Sequence, residues 1–305
     1  MQIDNFALTM FQACPSKYFL RIKEGYTSRR KSAALGFGGS FHAGLAEWYR
    51  TGSKVAMLRA VEDTWPDGMP TEDYRTKQKC VETLLAYVKT YPAETFKVIQ
   101  TASGPLIEQA FTLPTGMYLP CELCWQNDKS EPLAANCANC GAPKELIEYG
   151  GILDGGVEFS GSVFTLEHKT TSQLGPTFFY QFRPNNQVSG YTWALGLLSG
   201  QRVGGTLINA VGVYKSSPPK FERQITVRSD EELAEWMRSV YKTCVAIRQC
   251  ERDGEWPLHT VACTMYGRCE FHPVHVLPHA KQREAVLEQD YVRNHWSHEG
   301  RDDAE

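Results

Sequence analysis

The sequence predicts an α/β protein, with a central mixed sheet flanked by helices and a small inserted zinc knuckle. Apolar residues recur at helical spacing in some segments and alternate in others, which is typical of helices and strands along one chain. Hydrophobic residues make up 42% and charged residues 22% of the 305 residues, as in globular proteins. Two pairs of cysteines are confined to a polar stretch at residues 119–143, between segments with strand character.

The individual elements follow from these patterns. Helical character is found in residues 1–35, which are also basic, and in residues 72–91, 180–199 and 229–252. Ser229 and Glu232 form a capping box that begins the last of these helices. A glycine turn, GFGG, is expected before a further helix that carries His42. Strand character is found in residues 106–112, 144–159, 162–171, 205–214 and 221–227, with a turn near Ser160 and Gly161.

Charge and motif content exclude several classes of protein. A net charge of -3 excludes a protein that coats nucleic acid by bulk positive charge, although a local basic groove stays open. No apolar run approaches the roughly 18 residues of a membrane span, and the first residues do not have the pattern of a signal peptide. No G-x4-G-K-[ST] motif is present, so no ATPase motor is expected. Ten cysteines without a secretory signal favour a cytoplasmic metalloprotein.

The cysteine-bearing stretch reads CELCWQNDKSEPLAANCANC, which is two C-x2-C pairs separated by twelve residues. Each pair can present two thiolates on one tight turn, and two such turns complete a tetrahedral zinc site. We therefore expect a closed, structural zinc site at Cys121, Cys124, Cys137 and Cys140. Four free cysteines in a loop are the alternative.

Two neighbouring strands carry a set of acidic and basic side chains. Asp154 lies in GGILDGG, and LEHKTT follows with Glu167 and Lys169. Residues two apart on a strand share a face, so Glu167 and Lys169 point the same way and His168 points away. The hairpin can bring Asp154 beside Glu167, where two carboxylates favour Mg²⁺ or Mn²⁺. A lysine beside them can orient the attacking water in phosphodiester hydrolysis, whereas an ordinary surface Glu–Lys pair is the alternative.

The order of five motifs resembles the RecB-like branch of the PD-(D/E)XK nuclease superfamily. This branch includes the AddB nuclease domain, CRISPR-associated adaptation exonucleases and phage exonucleases. The matching pieces are FQACPSKYFL, GGSFHAGL, the strands ILDGG and LEHKTT, the helix NNQVSGY, and CTMYGRCEF. The resemblance implies a restriction-endonuclease-like core and covers most of the chain outside the zinc insertion.

The resemblance also implies roles for particular residues. The expected ligands of Mg²⁺ or Mn²⁺ are His42, Asp154, Glu167 and the backbone carbonyl of His168. Lys169 would act on the attacking water. Gln187 and Tyr191 lie four apart on one helix face, where they can hold a phosphate or brace Lys169. Glu108 on the strand PLIEQAF approaches the same site or faces solvent, and both interpretations stay open.

Iron–sulfur members of this branch use one cysteine near the N-terminus and three near the C-terminus to hold a 4Fe–4S cluster. Cys14, Cys263 and Cys269 fit three of these places, and His275 or His272 stands near the fourth. Because a histidine stands where the fourth cysteine is expected, three alternatives stay open: a cluster, a zinc ion or an empty site. We expect these residues to meet in a clasp that joins the two ends of the chain.

We expect a metal-dependent DNA exonuclease of recombination, replication or repair, with a separate helicase or recombination protein as its partner. Tyr18 and Tyr26 would stack on bases. The residues expected to contact the DNA backbone are Lys17, Arg21, Arg29, Arg30 and Lys31. The alternative is a non-catalytic module of this fold that binds nucleic acid or protein. The expected segments are a helical part with the first strands (1–118), the zinc insertion (119–143), the catalytic core (144–228), a helix and cysteine clasp (229–279) and a tail (280–305).

Overall fold

The computed structural model describes residues 1–102, 104–265 and 267–295. Its helices are α1 (Asn5–Ala13), α2 (Pro15–Tyr18), α3 (Ala33–Thr51), α4 (Lys54–Thr64), α5 (Lys77–Thr90), α6 (Asn186–Ser199), α7 (Asp230–Asp253), α8 (His272–His275) and α9 (Ala280–Asp290). Its strands are β1 (Gln2–Asp4), β2 (Tyr26–Ser28), β3 (Lys97–Val98), β4 (Gln100–Thr101), β5 (Gly104–Pro105), β6 (Ile107–Tyr118), β7 (Leu146–Phe159), β8 (Ser162–Thr171), β9 (Val203–Gly212), β10 (Lys220–Val227) and β11 (Tyr291–Arg293). Residues 296–305 of the expected tail lie outside the described residues.

The chain forms two compact units. The first unit consists of Met1–Arg30, Phe111–Gly151 and the residues from Ala234 onward, and the second unit consists of Lys31–Ala110 and Ile152–Leu233. Strand β7 runs from the first unit into the second, because the division falls after Gly151. No helix among the described residues is both long and apolar enough to cross a bilayer.

A mixed sheet forms the centre of the second unit. The last residues of β7 pair antiparallel with β8 through a turn at Ser160 and Gly161, both of which have positive φ. Strand β8 pairs parallel with β9, which pairs antiparallel with β10. The parallel pair is connected through α6, as parallel strands need a crossover.

Helices cover both faces of this sheet. Val211 and Val213 pack with α3, α4 and α5, whereas Ile208 and Ala210 pack with α6 and the segment before it. Even and odd positions of a strand point to opposite faces, so the two helical layers lie on opposite sides of β9. The predicted fold class, a mixed sheet flanked by helices, is therefore confirmed.

The first unit joins the two ends of the chain. Strand β1 pairs parallel with the beginning of β7, and β2 pairs antiparallel with β11. The Trp256 ring stacks on the rings of Tyr18 and Phe19, with centroids 5.8 Å and 5.2 Å away. Phe271 and Leu20 lie in one apolar cluster. These contacts bury apolar surface contributed by both ends of the sequence.

Local predictions from the sequence had mixed outcomes. The capping box of α7 is confirmed, because Ser229 Oγ accepts from the Glu232 N–H and Glu232 accepts from the Ser229 N–H. The prediction of a glycine turn before His42 is wrong. Ser32 caps α3 upstream, so the glycines lie inside the helix, where a Cβ on Gly36 would come within 2.7 Å of the Met69 sulfur. The prediction that residues 1–35 are helical is wrong in part, because this segment also contains strands β1 and β2.

Candidate active site

Three potential metal ligands converge in the second unit. His42 on α3, Glu108 on β6 and Asp154 on β7 place one ligand atom each within 4.8 Å of one another. His42 Nδ1 lies 3.3 Å from Asp154 Oδ2. One imidazole nitrogen and two carboxylates form a donor set that suits Mn²⁺ and tolerates Mg²⁺, so the residues present fit a divalent cation.

The Asp154 carboxylate is buried and held in its charged form. Its Oδ2 accepts a hydrogen bond from the backbone N–H of His168 at 2.8 Å. Burial alone would raise the pKa of Asp154, but the His42 ring, His168 and Lys169 together hold that pKa well below its usual value. A buried carboxylate that stays ionised is available as a cation ligand.

Glu108 reaches the site through an unusual backbone conformation. Its φ is +50°, in the left-handed region that non-glycine residues rarely adopt. Such backbone strain persists where surrounding structure enforces it and is common at functional sites. The sequence left open whether Glu108 faces the site or solvent, and the structure places its carboxylate beside His42 and Asp154.

Glu167, Lys169 and Gln187 form a second group beside Asp154. Lys169 Nζ lies 2.5 Å from Glu167 Oε1 and donates to Gln187 Oε1 at 2.9 Å. Gln187 Nε2 donates to Glu167 Oε1 at 2.9 Å, so the glutamine bridges the other two side chains. Burial and, secondly, the nearby Asp154 charge raise the pKa of Glu167, as expected for two neighbouring buried carboxylates.

The structure thus divides the expected ligands between two groups. Within the described residues, Glu167 is not among the side chains whose ligand atoms lie within 4.8 Å of one another, and Glu108 is. Tyr191 lies one turn beyond Gln187 on α6, half-buried. Its role and a metal contact by the His168 carbonyl stay predictions.

The His168 ring is on the other face of β8, as alternation predicts. It is buried, stacks on the Tyr49 ring with centroids 5.8 Å apart, and places Nδ1 2.7 Å from Asn209 Nδ2. Burial lowers the pKa of His168 to about 3, so the ring is neutral near pH 7. The sequence analysis did not identify Tyr49 or Asn209, because their contacts depend on register and packing between distant segments.

The four cysteines of the insertion come together in the first unit. Their sulfur atoms all lie within 4.8 Å of one another, and Cys121 Sγ is 3.6 Å from Cys140 Sγ. Sulfur ligands of a tetrahedral zinc ion lie about 3.8 Å apart when each Zn–S bond is about 2.3 Å. The thiolate set and its spacing therefore fit a structural metal.

Asp128 and Trp125 hold this insertion in place. Asp128 accepts from the backbone N–H of Cys121 at 2.7 Å and from that of Ser130 at 2.9 Å. The Trp125 indole donates to Gln249 on α7, and the Arg252 guanidinium lies 4.9 Å from the Trp125 ring centroid. The insertion is thus attached to the first unit through α7.

The cysteines near the two ends are not gathered into one site. Cys14, Cys263, Cys269 and His275 do not place ligand atoms within 4.8 Å of one another, although all four are described. Ser16 Oγ lies 3.0 Å from His275 Nε2, and the Cys269 N–H donates to the Cys263 carbonyl at 2.9 Å. The two end segments are in contact, but the expected ligands are not assembled into a site, and a cluster or zinc ion between them stays a prediction.

The basic segment near the N-terminus includes residues of different accessibility. The expected DNA contact of Arg21 is wrong, because this side chain is buried, with 5% of its surface exposed. Its guanidinium lies over the Phe6 ring and donates to the Asn294 carbonyl. Tyr18 is likewise buried against Trp256 and has no free face for a base.

The other basic side chains are more accessible. Lys17 is ion-paired with Glu270 at 3.1 Å, and Arg29 donates to the Gln289 carbonyl at 3.1 Å. Arg29, Arg30 and Lys31 are all exposed. These three residues remain the most accessible candidates of this segment for a phosphate backbone.

Comparison with known proteins adds independent information about the chain. Residues 6–274 match the family model of the PD-(D/E)XK nuclease superfamily. One similar solved structure is described as a "putative exonuclease" from Eubacterium rectale, with a TM-score of 0.48, 12% identity and coverage of 88% of each chain. No curated protein matches the sequence.

Proposed function

Since the chain belongs to the PD-(D/E)XK nuclease superfamily, we propose that it is a metal-dependent exonuclease that hydrolyses phosphodiester bonds in DNA. One observation carries this proposal. His42, Glu108 and Asp154 converge within 4.8 Å, and the adjoining Lys169 is held by Glu167 and Gln187. A binding module would have no need of both the ligand set and the braced lysine.

The roles of the residues follow from their geometry. His42, Glu108 and Asp154 would hold Mg²⁺ or Mn²⁺, with the carboxylate of Glu167 beside them. When bound, the cation acts as a Lewis acid on the scissile phosphate. Lys169 orients the attacking water and offsets the negative charge that develops on the phosphate. Gln187 fixes the position of Lys169, because it is hydrogen-bonded to both the lysine and Glu167.

We further propose that the four-cysteine cluster binds Zn²⁺ and serves only the local structure. The sulfur spacing supports zinc, and the stretch itself has little apolar surface to fold around. Ten unpaired cysteines support a reducing, cytoplasmic setting in a bacterial or phage-infected cell. DNA ends as substrate, a helicase or recombination protein as partner, and a role in recombination or repair belong to the same proposal.

The test is cleavage of end-labelled single-stranded and duplex DNA by the purified protein with Mg²⁺ or Mn²⁺. An exonuclease releases short products from the ends first, whereas an endonuclease produces internal fragments first. Asp154→Ala should be inactive with either metal. Binding of DNA by wild type without any cleavage, under every metal tested, would reject the catalytic proposal. Cleavage of RNA in preference to DNA would reject the DNA assignment.

A further inference from the structure

A connected set of buried and half-buried polar side chains lies on the face of the sheet that α3 and α5 cover. All of them belong to the second unit and are linked by hydrogen bonds or ring stacking. The members are Tyr49, Tyr87, Glu94, His168, Asn209 and Arg223. Placing so many polar groups in a core costs stability unless each is satisfied, so the arrangement calls for a purpose beyond packing.

The orientation of the Asn209 amide follows from the chemistry of its neighbours. The guanidinium of Arg223 can only donate, and its Nε lies 3.2 Å from Asn209 Oδ1. The amide nitrogen must therefore face the other way, towards His168 Nδ1 at 2.7 Å and the Tyr87 hydroxyl at 3.1 Å. Because Nδ1 of His168 accepts this hydrogen bond, the proton of the neutral ring is on Nε2.

The rest of the set fixes Arg223. Glu94 lies 2.7 Å and 3.0 Å from the two terminal nitrogens of the guanidinium. Arg223 also donates to the Tyr87 hydroxyl at 2.7 Å, and that hydroxyl lies 2.8 Å from the hydroxyl of Tyr49. Tyr49 in turn donates to Glu94 at 3.0 Å. The donors and acceptors form a closed ring of contacts, which permits a single orientation of the asparagine.

His168 transmits this orientation to two of the candidate metal ligands. Its backbone N–H donates to Asp154 Oδ2 at 2.8 Å. Its ring meets the His42 ring edge to face, with centroids 5.7 Å apart and planes at 85°. A displacement of the His168 side chain would therefore disturb the His42 ring, and a shift of the whole residue would also move the N–H that donates to Asp154.

We propose that Asn209 is a positioning residue: by bonding Arg223 on one side and His168 on the other, it holds His168 in the orientation and tautomer that keep His42 and Asp154 ready to bind the cation. The inference deepens the proposed function, because it concerns the metal site of that function. Among the described residues, Asn209 makes no side-chain hydrogen bond to His42, Glu108 or Asp154. Its effect is on metal affinity and not on any chemical step.

The experiment compares Asn209→Asp with wild type. A carboxylate at this position can only accept, so His168 must place its proton on Nδ1 to keep the hydrogen bond. Thr206→Val is the matched control. Thr206 is as deeply buried, lies on the same strand, and its hydroxyl is 2.6 Å from that of Thr165, away from His168.

Two measurements decide the outcome. Ring ¹⁵N NMR of the metal-free wild type should show His168 protonated at Nε2, and that of Asn209→Asp should show protonation at Nδ1. Mn²⁺ binding, followed by electron paramagnetic resonance without DNA, should weaken about tenfold in Asn209→Asp, as is typical when outer partners of metal ligands are changed. Thr206→Val should bind Mn²⁺ within about twofold of wild type, as expected for a distant independent site.

Several results would overturn the proposal. One is an Nδ1 proton on His168 in wild type, a measurement that needs no variant to fold. Others are unchanged Mn²⁺ binding in folded Asn209→Asp, or an equal loss in Thr206→Val, which would indicate general destabilisation. Because no DNA is present, the result is independent of catalysis. Wild type that binds Mn²⁺ through Asp154 but cleaves nothing would reject the proposed function and leave the positioning role intact.

Discussion

Replacing Gln187 by leucine removes the two hydrogen bonds that hold Lys169 and Glu167 in place. Leucine has a similar volume, so the packing of α6 is largely kept. The N-terminal cap of α6 is also kept, because it depends on Asn185, whose side chain accepts from the Val188 N–H at 3.0 Å. The variant therefore tests the bracing of the lysine and not the folding of the helix.

The size of the effect can be worked out from the contacts. Both bonds of Gln187 are to charged groups, and such bonds contribute about 1.5–3 kcal/mol each when they are shielded from water. The Lys169 side chain is 32% exposed, so water replaces part of its bond, whereas the Glu167 side chain is 3% exposed. A loss of about 2 kcal/mol in holding Lys169 corresponds to roughly 30-fold slower cleavage.

The assay is single-turnover cleavage of end-labelled DNA at saturating Mn²⁺. Gln181→Leu is the matched control, since Gln181 is exposed just before α6 and its side-chain amide donates to a neighbouring carbonyl, that of Phe178. Gln187→Leu should be slow at every Mn²⁺ concentration, and Gln181→Leu should match wild type. Cleavage by Gln187→Leu within about twofold of wild type would refute the bracing role.

Three further outcomes are expected. Asp154→Ala should lose Mn²⁺ binding and activity together, whereas Lys169→Ala should keep Mn²⁺ binding and lose most turnover. Calorimetry measures the binding and the cleavage assay measures the turnover. Wild-type activity in Lys169→Ala would contradict the assignment of Lys169 to the attacking water. Replacing Cys121 and Cys124 by serine should remove about one zinc per chain, measured by elemental analysis, and full zinc retention would show that the ion binds elsewhere. Arg223→Met should lower the free energy of unfolding by about 1–3 kcal/mol in urea titrations, because the half-buried Glu94 carboxylate loses its ion pair and keeps the hydrogen bond from Tyr49. An unchanged midpoint would contradict this.

The sequence was informative wherever the signal was local. Spacing along one strand or one helix placed Glu167 beside Lys169, and the same kind of reasoning identified the two C-x2-C pairs. Local patterns also misled. The glycines before His42 resemble a turn, yet they lie in a helix that Ser32 caps upstream, and Gly36 leaves room there for the Met69 side chain.

Interactions between distant segments were beyond such reasoning. Glu108 could not be assigned, because its side chain reaches the site only through a backbone conformation that no residue pattern indicates. Asn209 and Arg223 read as ordinary strand residues until the register of β8, β9 and β10 brings them to His168. Arg21 belongs to a basic run, but the chain folds it inward over Phe6.

The parallel pairing of β1 with β7 has a consequence during protein synthesis. Gln2 pairs with Glu148, so β1 can pair only after a further 146 residues have been synthesised. At about 5–20 residues per second, synthesis of the residues between them takes roughly 7–30 s. During that time the backbone groups of the short segment Gln2–Asp4 have no strand partner, and unpaired strand edges can pair with other chains. Recombinant yield should therefore depend on translation speed and on chaperones that bind nascent chains.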